Sequence, residues 1–191
     1  MKNQKSLLSV DWSKLPVPVD DGAARHLMHL LLPAFPLPAT DGTLVSLSGL
    51  TGRTVLYIYS LTGRPGSDLP DGWDAIPGAR GCTPQSCAFR DNFAALRMAG
   101  AKQIFGLSTQ DTAYQREVVE RLQLPFSLLS DAELKFGQAL SLPRMRVGNF
   151  THLRRLTMII DDGLIKHVFY PIFPPDKNAA DVLAWLKANP L

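Results

Sequence analysis

Cysteine is nearly absent from this chain: Cys82 and Cys87 are the only two in 191 residues. That excludes a multi-disulfide scaffold and a structural zinc site built from two closely spaced cysteine pairs. Long hydrophobic runs are also missing. The longest, Leu27 to Leu32, is interrupted by His29 and ended by Pro33, far short of the roughly 20 apolar residues a spanning helix needs. After Met1-Lys2-Asn3-Gln4-Lys5 no apolar core of signal-peptide length follows, and Asp11 and Asp20 interrupt the region. The expected location is therefore the cytoplasm, with no membrane partner. Charge of one sign is scarce too. The net charge is +3 and no Lys/Arg run with interleaved aromatics occurs, so no nucleic-acid partner is expected. There is no glycine-rich phosphate loop and no Ser-His-Asp pattern, and Cys-x4-Cys is not the Cys-x-x-Cys of a disulfide oxidoreductase. His26 and His29 have a spacing that could seat a metal, and Cys82 with Cys87 could add ligands, but structural zinc usually shows two closely spaced pairs, and His152 and His167 have no partner pattern. All four read as structural or surface residues, and neither a metal nor a cofactor is expected.

What is present is 46% hydrophobic, enough to bury a full core in a chain of this length. Residues 1–26, rich in Pro, Asp and Lys, read as an extension on the surface or partly disordered, ahead of one domain over 27–191. Thr40-Asp41-Gly42-Thr43 reads as a hairpin turn, and Thr54–Tyr59 as a strand buried on both faces. Pro84 to Ala99 reads as a helix opened by Thr83-Pro84 and stopped at Gly100. Then follow a strand at Gln103–Leu107, a helix at Asp111–Leu122 and a strand at Phe126–Leu129. Ser130 to Glu133 reads as a capping box opening a helix through about Leu140. Leu156–Ile160 and Leu164–Tyr170 form a hairpin about Asp161-Asp162-Gly163, and Asn178–Ala188 is the last helix. A βαβ unit followed by ββα around a mixed sheet is an α/β layout of thioredoxin type.

The cysteine pair lies in Gly81-Cys82-Thr83-Pro84-Gln85-Ser86-Cys87, at the opening of a helix. A helix N-terminus favours a thiolate, so the arrangement suits one thiol that attacks and a second that resolves the product. Two buried structural cysteines would give the same spacing. In a compartment that keeps thiols reduced, a close pair is more often catalytic or metal-binding than a staple.

Gly81-Cys82-Thr83-Pro84-Gln85-Ser86-Cys87-Ala88-Phe89-Arg90-Asp91-Asn92 resembles the active-site helix of the peroxiredoxin Q group, also called bacterioferritin comigratory proteins. The resemblance runs on through Gly106–Thr109, Leu128–Asp131, Arg155–Asp161 and Asp181–Lys187. It implies a thioredoxin-like fold, with a central mixed sheet, flanking helices and an N-terminal hairpin. It also implies a thiol peroxidase for hydrogen peroxide and small organic hydroperoxides. Cys82 matches the peroxidatic cysteine, Cys87 the resolving cysteine, and Arg155 the arginine that lowers the thiol pKa and steadies the leaving oxygen. The implied reductant is thioredoxin- or glutaredoxin-like, and the chain a monomer or weak homodimer.

This sequence departs from the family pattern just before Cys82. The family usually shows Tyr-Pro and then Thr-x-x-Cys, whereas here Tyr59 is followed by Ser60 and Ala79 stands three before Cys82. The nearest candidate threonine, Thr62, is 20 positions ahead of Cys82, across a Gly- and Pro-rich insertion at 62–81. Either Thr62 reaches the site with the insertion looping outward, or the hydroxyl comes from elsewhere, such as Ser60, or it is missing; Thr62 is taken as the candidate. Trp73 and Arg80 read as anchors of the long loop rather than a lid. The displaced threonine leaves a second class open: a redox sensor of the same fold with little turnover.

Overall fold

The computed structural model describes residues 5–191. In chain order it contains α1 (Lys5–Leu8), β1 (Pro36–Pro38), β2 (Leu44–Ser46), β3 (Arg53–Ile58), α2 (Cys82–Asp91), α3 (Phe93–Met98), β4 (Gln103–Ser108), α4 (Thr112–Leu122), β5 (Leu128–Ser130), α5 (Lys135–Ala139), β6 (Arg144–Val147), β7 (Phe150–Leu153), β8 (Leu156–Asp161), β9 (Leu164–Phe169) and α6 (Asn178–Ala188). The central sheet has the order β5-β4-β3-β8-β9. β3, β4 and β5 run parallel, and β8 and β9 antiparallel to their neighbours. With helices on its faces and the β1–β2 hairpin beside it, this is the expected thioredoxin-like fold.

β3 is buried along its whole length and apolar from Val55 to Ile58 because both its faces are covered, yet period two still sorts it. Leu56 and Ile58 join Met158, Ile160, Phe136 and the hairpin residue Leu37 in one cluster. Val55 and Tyr57 join Ile159, Phe89, Leu96, Val118 and Val182 in the other, which carries the helices α2, α3, α4 and α6. Two cis peptide bonds, Tyr170-Pro171 and Phe173-Pro174, lie in the link from β9 to α6.

Three expectations need correcting. The helix predicted from Pro84 starts at Cys82 instead, with Gly81 at φ 104° as its N-cap, and Thr83 is buried and makes no cap. It also breaks at Asn92, whose backbone (φ −96°, ψ 4°) departs from helical geometry, while its N–H and side-chain amide both donate to the Ala88 carbonyl (3.0 and 2.9 Å). The capping box at Ser130–Glu133 does not form. Ser130 Oγ donates to the Gln110 carbonyl, and the Asp131 carboxylate takes the Phe136 and Gly137 N–H groups, so α5 starts only after Leu134. The β6–β7 hairpin, turning at Gly148-Asn149, was not anticipated at all.

Of the N-terminal stretch, residues 1–4 lie outside the described residues. The rest runs against the domain: Trp12 donates to Asp176 and Leu27 is fully buried, while Val17 and Val19 are exposed. In the 62–81 segment, Trp73 is buried edge-on to His152 beside Leu61, Leu69, Ile76 and Met145. Arg80 pairs with Asp74 (3.1 Å).

Candidate active site

The site forms at the carboxyl end of β3, the crevice where open α/β sheets commonly bind ligands. β3 gives way to Ser60 and Leu61, which lie above the start of α2. The antiparallel register pairs Ile58 with Leu156, so Arg155 emerges beside the end of β3. Sequence positions 60, 82 and 155 thereby meet at one sulfur.

Cys82 is the first residue of α2 and is 2% exposed. Arg155 Nη2 donates to its Sγ at 3.2 Å, the Leu61 backbone N–H at 3.4 Å, and the Ser60 hydroxyl stands 3.6 Å away. The S–H faces the Ala79 carbonyl (3.6 Å), which the Ser60 hydroxyl also approaches (3.4 Å). When the thiol ionises, that hydroxyl is free to turn to the sulfur. Burial by itself pushes the Cys82 thiol up. The Arg155 charge, the Leu61 N–H and the Ser60 hydroxyl together outweigh it and hold Cys82 below the ordinary cysteine value.

Arg155 is itself fixed. Nη1 donates to Gln85 Oε1, and Nη2 reaches the carbonyls of Gly78, Ala79 and Arg80 at 3.4, 3.2 and 3.1 Å. Gln85 Nε2 in turn donates to Asn178 Oδ1 (3.0 Å), which also accepts from Thr157 Oγ1 (2.7 Å). The guanidinium therefore ties the end of the 62–81 segment to the first turn of α2 and to α6. Gln85 and Asn178 were not singled out from the sequence. A polar residue one turn after Cys82 is the only signal that could have drawn attention to Gln85.

Thr62 is not brought to the sulfur, which corrects the expectation for it. Its backbone N–H and hydroxyl both donate to Gln110 Oε1 (3.0 and 2.9 Å), and its carbonyl accepts from Gln110 Nε2 and Tyr114 Oη. The Gln110 amide satisfies Thr62 completely and holds it facing α4. Ser60 occupies the hydroxyl position instead.

Cys87 lies one and a half turns further along α2, half-buried among the helices, and both cysteines are free thiols. Burial is the main cause that pushes the Cys87 thiol up, opposed by the Arg90 charge. The two thiols are thus tuned in opposite directions, Cys82 toward a nucleophile and Cys87 toward a neutral S–H. The opening over Cys82 is a recess of ≈ 10 Å³ walled by Leu7, Leu61, Leu69 and Trp73. Among the described residues, no cluster of three or more His, Cys, Asp or Glu is placed to hold a metal ion.

The hydroxyl assignment has a measurable consequence. Reaction with an electrophile should follow the Cys82 thiolate, so its rate falls as pH drops through the Cys82 pKa. In Ser60→Ala one donor to the thiolate is lost, the pKa rises, and the profile moves to higher pH. Thr62→Val should leave the profile in place. Iodoacetamide alkylation of Cys82 as a function of pH reads both.

The Redoxin family profile matches residues 30–183. A chloroplastic peroxiredoxin Q of Oryza sativa subsp. japonica is 33% identical over 158 residues, 82% of this chain and 64% of the rice protein, so the chain spans less than two thirds of that relative. The chloroplastic peroxiredoxin Q of Sedum lineare is 30% identical over 158 residues, covering 82% of this chain and 75% of its own. Among solved structures, the peroxidoxin BcpB of Mycobacterium tuberculosis superposes with a TM-score of 0.68 at 26% identity, over 86% of this chain and 98% of that one. Sequence, fold and the cysteine-bearing helix agree, and the chain belongs to the Redoxin family, within it to the peroxiredoxin Q group.

Proposed function

We propose that this chain is a thiol-dependent peroxidase that reduces hydrogen peroxide and small organic hydroperoxides. The observation that carries the reading is the Arg155 Nη2 donor 3.2 Å from a buried Cys82 Sγ at the first position of a helix. The Cys82 thiolate attacks one peroxide oxygen: an S–O bond forms, the O–O bond breaks, and the departing oxygen takes a proton to leave as water or alcohol. Arg155 and the Leu61 N–H supply donors where that negative charge moves. The narrow opening over the sulfur, which Arg80 and Thr83 share with Leu61 and Trp73, suits a small hydroperoxide.

Cys87 then attacks the Cys82 sulfenic acid. An S–S bond forms, the S–O bond breaks, and water leaves. In the helix this cannot happen: five residues apart on an α-helix, the two Cα atoms stand roughly 8–9 Å apart, and a disulfide closes only within about 7 Å. The first turn of α2 must unwind, which also draws Cys87 out of the burial that keeps it protonated. A thioredoxin- or glutaredoxin-like dithiol completes the cycle. A cytoplasmic location and a monomeric or weakly dimeric state belong to the same proposal. No helix among the described residues is long and apolar enough to cross a membrane.

The test is peroxide consumption in the presence of a thioredoxin system. Many turnovers per protein are expected. Consumption of one equivalent followed by a stop would identify a thiol switch instead.

A further inference from the structure

The opening of α2 is held from outside the site, by the N-terminal segment. Asp11 starts a short turn at Trp12–Lys14, its carboxylate accepting from the Ser13 N–H (3.2 Å) and hydroxyl (2.6 Å). This presents the Trp12 indole to Gly81. A Cβ on Gly81 would stand 2.7 Å from Trp12 Cη2 and 2.8 Å from Pro175 Cγ, so both side chains pack directly on the glycine and only a residue without Cβ fits beneath them. The indole lies edge-on to Phe173 with ring centres 6.0 Å apart, and its Nε1 donates to Asp176 Oδ2 at 3.0 Å. The Pro175–Lys177 turn that carries Asp176 leads directly into α6, whose Asn178 holds Gln85. Gly81 is the N-cap of α2, and its carbonyl accepts the first helical bond, from the Gln85 N–H (3.0 Å). Trp12 itself makes no hydrogen bond to Cys82, Arg155 or Cys87.

We propose that Trp12 is a positioning residue: a bolt on Gly81 that sets how readily the first turn of α2 opens, and hence how fast Cys87 captures the Cys82 sulfenic acid. The inference rests on the peroxidase reading for its catalytic meaning. For Cys82 to swing toward Cys87, the Gly81–Thr83 backbone must leave its place, and the indole and Pro175 both pack on Gly81 at the position its side chain would take. A slow opening lengthens the life of the sulfenic acid. During that time a second peroxide can oxidise it to a sulfinic acid, its own O–O bond breaking to release water or alcohol. The bolt therefore slows resolution by holding the first turn of α2 closed.

Two variants and two readouts test this. In Trp12→Ala, the first phase of peroxide oxidation in stopped flow should match the wild type. The second phase, disulfide closure, should be about tenfold faster, the scale of one lost edge-to-face pair, since the Trp12–Asp176 bond is exposed and adds little. Less Cys82 should appear as sulfinic acid at high peroxide. Asp176→Asn keeps the ring in place and weakens only its anchor, so it should shift closure in the same direction by a smaller factor. It also decides the question if Trp12→Ala does not fold. Amide exchange at Gln85 in the reduced protein should accelerate by a similar factor in each variant. Closure and Gln85 exchange at wild-type rates, or slower closure, would overturn the proposal. If the wild type shows no first phase, the peroxidase reading fails while the Gln85 exchange still decides whether Trp12 bolts the helix.

Discussion

Cys82→Ser is expected to abolish peroxide consumption, whereas Cys87→Ser retains one rapid turnover and then stops. The two thiols sit on one helix but in opposite surroundings. Cys82 has Arg155 at 3.2 Å and the Leu61 N–H at 3.4 Å, and is held below the ordinary cysteine value against its own burial. Cys87 is pushed up by burial and is a poor nucleophile while the helix is intact. Removing Cys82 removes the thiolate. Removing Cys87 leaves the thiolate and its donors unchanged but strands the sulfenic acid. Stopped-flow mixing with peroxide, followed by mass spectrometry of the trapped sulfur, separates the two. Rapid sulfenic-acid formation at Cys87 in the Cys82→Ser protein would reverse the assignment.

Arg155→Met should slow the reaction with peroxide by a factor on the order of 10²–10³, the usual effect of losing one oriented donor to a developing anion. The variant also loses the Coulombic support for the thiolate, so its pH profile should move upward as its rate falls. Arg155→Lys keeps a charge but not the planar fork that spans the sulfur, Gln85 and the three carbonyls of Gly78–Arg80, and should recover only part of the rate. Arg154→Met is the control. That side chain pairs with Asp21 at 2.8 Å, with both partners 45% exposed, and has no hydrogen bond to Cys82. Exposed pairs of this kind contribute little. Equal rates for the wild type and Arg155→Met would remove Arg155 from the chemistry.

The elements with strong periodicity were legible in the sequence. β3, α4, the β8–β9 hairpin and α6 fall within a residue or two of where the apolar spacing and turn residues put them. Local chemistry misled where a tertiary partner took over a side chain. Ser130 has the sequence of a helix cap, but the Gln110 carbonyl claims its hydroxyl and Asp131 caps further along. The same limit applied in the site. Cys82 and Cys87 stand out because a specific motif carries them, Arg155 only through the weaker resemblance around it, and the structure brings Arg155 and Cys82 together. Thr62 was misplaced because hydroxyls cannot be ranked by position alone. Its partner, Gln110, is 48 residues away, and nothing local marks the pair. Ser60 lies two residues earlier at the strand end and takes the place by geometry.

The arrangement around α2 also bears on electrochemistry. The proposed Cys82–Cys87 disulfide could form only with the first turn of the helix undone. Its reduction restores the Gly81–Gln85 helical bond, the Gln85–Arg155 and Gln85–Asn178 contacts, and the thiolate beside its guanidinium. Every interaction that favours the reduced helix raises the reduction potential of the couple, by about 30 mV for each 1.4 kcal/mol in a two-electron exchange. The polar network that sharpens the nucleophile therefore makes the disulfide easier to reduce, and weakening Gln85 or Asn178 should leave a couple that gives up its electrons more readily and accepts them from a dithiol more slowly.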